Sequence, residues 1–139
     1  MIRPFNSFIE ENKVKKIIPN FETAKSLIRR SESFLKFCES AAVSEETAPA
    51  VFINAYEAAR EAGQSLLCKA GFKPFSHEAI ISFLNEKYPQ LDKSLLHTFD
   101  KFRELRNRIV YDADKVSIDE AKEAIDFARK LIGKIKTLK

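Results

Sequence analysis

The chain has 139 residues, enough for one domain that buries a sizeable core without a disulfide framework. Hydrophobic residues make up 45% and charged residues 32%, a balance that excludes a disordered chain, and no apolar run is long enough to span a bilayer, so no membrane partner is expected. The net charge of +4 is compatible with a nucleic-acid partner without requiring one.

Residues 1–18 read as a leader segment with apolar Phe5, Phe8, Ile9, Ile17 and Ile18 and room for one short helix. It lacks a continuous apolar core and a small-residue cleavage site, so it is not expected to be a signal peptide, and a cytoplasmic location follows. Pro19-Asn20 closes it. A helix is predicted over 21–40, its stripe being Ala24, Leu27, Ile28, Ser31, Phe34, Leu35 and Cys38. Ser44 is the expected N-cap of the next helix, with Glu45 and Glu46 at its positive end and Pro49 in its first turn. Phe52, Ala55, Ala59, Ala62, Leu66 and Lys69 carry that helix to about 70, where Gly71 ends it. Gly63 in mid-helix, among small residues at 55, 58, 59 and 62, predicts a close helix crossing.

Ser76 caps a shorter helix over about 77–87, which stops before Pro89. The next is predicted over about 92–110, with Leu95, Leu96, Phe99, Phe102, Leu105 and Ile109 inward. Ser117-Ile-Asp-Glu120 is a capping box that opens the last helix. Acids crowd its first half and lysines its end, an order that suits the helix dipole. The expected fold is all-α: one domain over 1–139, an antiparallel up-and-down four-helix bundle with an additional short helix. Cys38 and Cys68 fall among apolar residues and read as buried reduced thiols, a single bridge between them being left open.

Chemistry has few candidates. His77-Glu78 matches the first half of a zinc-binding HExxH, but Ile81 stands where the second ligand belongs and His97 lies on another helix, so neither metal nor other cofactor is expected. There is no glycine-rich phosphate loop and no nucleophile elbow. What remains is Arg103, Arg106, Asn107, Arg108, Tyr111 and Asp112 around the end of the helix predicted over about 92–110, with Tyr111 and Asp112 expected just beyond it. A guanidinium there can hold a phosphate through two parallel hydrogen bonds. Cations at a helix C-terminus also stabilise it by ~0.3–1 kcal/mol each. Spacing alone favours the helix cap over the phosphate grip.

The segment "LRNRIVYDADKVSIDEAKEAIDFARKLI" resembles the C-terminal part of HEPN (higher eukaryotes and prokaryotes nucleotide-binding) domains. "FETAKSLIRRSESFLKF", "YEAAREAGQSLLCKAGFKPFSHEAIISFL" and "FIEENKVKKIIPN" are similar to archaeal and bacterial members of the type associated with minimal nucleotidyltransferases. The resemblance implies an up-and-down helical bundle and a homodimer that brings two copies of the motif Arg-Asn-x-x-x-His into one cleft. It implies either a metal-independent ribonuclease or the partner of a small nucleotidyltransferase in a toxin–antitoxin-type pair. Arg106 and Asn107 match the motif; Tyr111 occupies its His position, and Ala113 stands where a toxin subgroup carries a modifiable Tyr. A His handles protons near neutrality, whereas ionising a phenol of pKa near 10 costs ~4 kcal/mol at pH 7. A neutral phenol still donates to phosphate, so the substitution preserves binding better than catalysis. The expected function is therefore binding of RNA or nucleotide phosphate at a dimer cleft by Arg103, Arg106, Asn107 and Arg108. The alternative is an active ribonuclease toxin with Arg106 on the scissile phosphate and Tyr111 handling the proton.

Overall fold

The computed structural model describes residues 2–138. Its helices are α1 (Phe5–Glu10), α2 (Phe21–Ser40), α3 (Ala48–Ala70), α4 (His77–Lys87), α5 (Lys93–Asp112) and α6 (Ile118–Thr137), and a two-stranded ribbon joins β1 (Val14–Lys16) to β2 (Phe72–Pro74). The protein is thus mostly helical, with four long helices of 20 to 23 residues.

Helix α3 is the central element and packs most extensively on α2 and α6, with α4 and α5 against it as well. Its small residues Ala55, Ala58, Ala59 and Ala62 are fully buried, which lets neighbouring backbones come close. Gly63 marks the tightest point: a Cβ there would lie 2.8 Å from Ile80 Cγ2 of α4 and 3.3 Å from Leu84 Cδ1. The close crossing expected at this glycine is therefore between α3 and α4.

Two local expectations need correction. Ser44 does not cap α3. It forms a pre-helical turn with Thr47, in which Ser44 N–H donates to Thr47 Oγ1 at 2.8 Å and Thr47 N–H to Ser44 Oγ at 3.2 Å. The helix opens only at Ala48 with Pro49 in its first turn, so Glu45 and Glu46 lie outside it. The second correction is at α5, which continues through Asp112 rather than ending near 110. Its stop is Ala113, held in the left-handed region at φ 52°, whose N–H returns to the Arg108 carbonyl.

The ribbon was not expected. It is antiparallel, with Val14 opposite Pro74 and Lys16 opposite Phe72. Gly71 turns α3 into β2 at φ 91°, where a Cβ would meet the Ile17 carbonyl oxygen at 2.9 Å. Ile17 N–H donates to Gly71 O at 2.9 Å and Phe75 N–H to Lys13 O at 2.8 Å. The leader thereby fixes the path from α3 to α4. The capping box at Ser117 is present as expected: Glu120 N–H donates to Ser117 Oγ and Ser117 N–H to Glu120 Oε1, both at 3.0 Å. Cys38 and Cys68 are free and buried, and lie in separate apolar clusters. Burial and the neighbouring Glu39 push the Cys38 thiol up to about 11. Among the described residues no helix is long and apolar enough to cross a membrane.

Candidate functional site

The extension of α5 determines what the site looks like. With 3.6 residues per turn, Arg103, Asn107 and Tyr111 follow one another at four-residue steps, and Arg106 flanks them. One turn before them Phe99 is buried against Tyr56, ring centroids 5.8 Å apart. The same side of α5 then emerges from the core as a polar strip. Tyr111 belongs to the last helical turn and needs no loop to bring it alongside Asn107.

Opposite this strip lie the end of β2 and the start of α4. Phe75, Ser76, His77 and Glu78 from that side, with Arg103, Arg106, Asn107 and Tyr111 from α5, line a surface cleft of about 340 Å³. Ser76 opens α4, its hydroxyl accepting from Ala79 N–H at 3.4 Å. Phe75 is 61% exposed and Tyr111 75% exposed, so the cleft has an aromatic edge on each side.

The cations are not equivalent. Arg103 is held by acids: its Nε donates to Asp100 at 2.8 Å, and Glu78 and Glu104 lie within 3.8 Å. Arg108 lies outside the cleft lining and pairs with Asp114 at 3.3 Å. Arg106 has no carboxylate partner among the described residues. Its Nη1 donates to Asn107 Oδ1 at 3.2 Å, and its Nε is buried with no hydrogen-bond partner. A buried guanidinium nitrogen costs about 1–3 kcal/mol when left unsatisfied; that atom is closed to solvent, while Arg106 as a residue lines the cleft.

In the sequence His77 reads only as half of a zinc motif, and Phe75 carries no functional pattern. Neither has a local signal. His77 receives its partner, Tyr56 Oη at 3.0 Å from Nδ1, from a helix twenty-one positions earlier. Phe75 is presented by the ribbon. Burial first, then Arg60 and Arg106, lower the His77 imidazole to about 4, against the opposing pull of Glu57. His97 is exposed on α5, and among the described residues no group of three or more His, Cys, Asp or Glu side chains is placed to hold a metal ion.

The chain matches the family model of the HEPN domain over residues 24–138. It belongs to the HEPN domain family. HEPN domains are generally associated with nucleotides or RNA, and some are ribonucleases. No curated protein and no solved structure matches the chain. The HEPN match takes in every residue that lines the cleft and leaves α1 and β1 outside it, although Lys13, just before β1, accepts the Phe75 N–H.

Proposed function

We propose that this HEPN protein binds RNA or nucleotide phosphate in the cleft between α4 and α5, with Arg106 as the principal anion contact. The observation that carries the reading is the Arg106 guanidinium, which lines the cleft with no carboxylate partner among the described residues. Asn107 steadies the guanidinium, and Tyr111, exposed on the same strip, donates a phenol hydrogen bond to phosphate. Arg103, already engaged by Asp100 and Glu78, contributes positive potential more than contact. Phe75 and Tyr111 offer stacking surfaces for unpaired bases beside the phosphate. This favours a single-stranded ligand over a duplex.

Binding is a better account of Tyr111 than catalysis. A phenol that moves protons near neutrality needs strong stabilisation of its anion, and Tyr111 is three-quarters exposed with no hydrogen-bond partner among the described residues. The protein acts in the cytoplasm as a homodimer of up-and-down bundles, joined near the end of α5 so that two clefts become one. Val110, 44% exposed beside the cleft strip, supplies an apolar contact there. Its protein partner is a small nucleotidyltransferase, as in a toxin–antitoxin-type pair.

The test is fluorescence anisotropy with a labelled single-stranded RNA and no divalent metal. Arg106→Ala weakens binding by about tenfold or more, the scale of a lost charge-assisted hydrogen bond. Equal affinity in wild type and Arg106→Ala overturns the proposal.

A further inference from the structure

His77 is a buried-edge imidazole with a defined partner in a cleft whose ligand it has no assigned part in binding. Its ring stacks on Tyr56, centroids 5.8 Å apart and planes 26° from parallel. Tyr56 is itself 1% exposed on α3, and its hydroxyl has His77 Nδ1 as its one hydrogen-bond partner among the described residues. A buried hydroxyl donates to the acceptor it has. Nδ1 therefore accepts, and the ring proton sits on Nε2, the nitrogen on the opposite edge of the ring and the one left for the cleft.

Burial first, and then the charges around the ring, keep it neutral. Arg60 and Glu57 face it from α3, Arg103 and Arg106 from α5, and Glu78 follows it on α4. Arg60 is itself tied to Glu57 at 2.6 Å and to Gln64, and Arg103 to Asp100 and Glu78. Arg106 is the cation without an acid. A neutral imidazole beside it adds a directed N–H donor without adding like-charge repulsion, which a second cation would bring.

We propose that His77 is a further phosphate-binding residue of this cleft, its neutral Nε2–H donating to an oxygen of the phosphodiester that Arg106 holds, with Tyr56 as the positioning residue that fixes the tautomer. The inference rests on the reading of the cleft as a phosphate site. It assigns His77 a hydrogen-bond donor's role and no proton transfer.

The experiment is ring-nitrogen NMR on the full chain with labelled histidine and arginine. Only two histidines are present, so His97→Gln assigns the spectrum. The probe is a short 2′-O-methyl RNA, which lacks a free 2′-hydroxyl. In the free protein at pH 7 His77 shows the neutral Nε2–H tautomer, and Tyr56→Phe mixes the two tautomers. Adding the probe shifts both His77 Nε2 and Arg106 Nε. His77→Ala weakens probe binding about tenfold, whereas His77→Gln, whose amide nitrogen takes the place of Nε2, stays within about threefold of wild type. A Nδ1–H tautomer or a protonated ring in the free protein overturns the inference. So does a still His77 Nε2 while Arg106 Nε moves, an outcome that leaves the cleft reading standing. A probe that moves neither signal overturns the cleft reading itself.

Discussion

Substituting alanine at two glycines separates packing from helix propensity in this protein. Gly63 and Gly133 both lie inside long helices, α3 and α6, and at each the change to Ala gains up to ~1 kcal/mol of helix propensity. The surroundings differ. A Cβ at Gly133 meets nothing within 4 Å, whereas one at Gly63 lies 2.8 Å from Ile80 Cγ2 and 3.3 Å from Leu84 Cδ1. Ile80 and Leu84 are 1% and 0% exposed, and a β-branched methyl in a packed core has nowhere to turn. Overpacking of this kind costs ~1–3 kcal/mol. Gly133→Ala is therefore stabilising by about 0.5–1 kcal/mol, and Gly63→Ala falls below it by about 1–3 kcal/mol. Urea unfolding reads the gap directly, and thermal melting shows it as roughly 3–12 °C for a chain of this size. Because Ile80 sits one turn into α4 from His77, Gly63→Ala also shifts the His77 ring signals. Equal stabilisation by the two substitutions would refute the close crossing and with it the account of how α4 is seated.

Other substitutions test the electrostatics. Arg108→Ala, which removes a cation outside the cleft lining and paired to Asp114, leaves RNA affinity within about twofold of wild type in the anisotropy assay. Arg30→Ala strips Glu61 of its main partner: Arg30 Nε donates to Glu61 Oε2 at 2.9 Å, and Arg60 at 3.8 Å is what remains beside a carboxylate 3% exposed. The cost is about 2 kcal/mol, below the 3–5 of a fully buried pair because Arg30 is largely solvated, and Glu61→Leu in the same chain recovers part of it. His77 gives a pH signature. Its folded pKa of about 4 lies below its ordinary 6.5, so between those values the unfolded chain binds the extra proton, and stability present above about 6.5 is lost as pH falls towards 4. His77→Gln flattens that part of the urea-midpoint profile; an unchanged profile would contradict the depressed pKa.

Much of the helical framework was legible because its signals are local. The stripe from Ala24 to Cys38 and the Ser76 and Ser117 caps placed α2, α4 and α6 within a residue or two of their observed bounds. Where a boundary depended on an unusual residue it was not legible. Ala113 adopts a left-handed conformation that normally belongs to glycine, so nothing in the sequence announced that α5 continues past Tyr111. Ser44 has the right chemistry for a cap but spends it on a turn with Thr47. The ribbon was invisible because its three-residue strands, "VKK" and "FKP", carry no alternation to read and find each other from distant parts of the chain. The site divides the same way. Arg106 and Asn107 stood out as a motif, while Phe75 and His77 become site residues only through that ribbon and through Tyr56.

The measurement that tests the central claim most directly is the salt dependence of RNA binding by wild type and Arg106→Ala. Each phosphate contact on a single strand contributes a slope of about −0.7 to log K against log salt concentration. If Arg106 holds a phosphate, its removal makes the slope shallower by roughly 0.7 as well as lowering affinity. An unchanged slope, with or without a loss of affinity, would contradict a direct phosphate contact at Arg106.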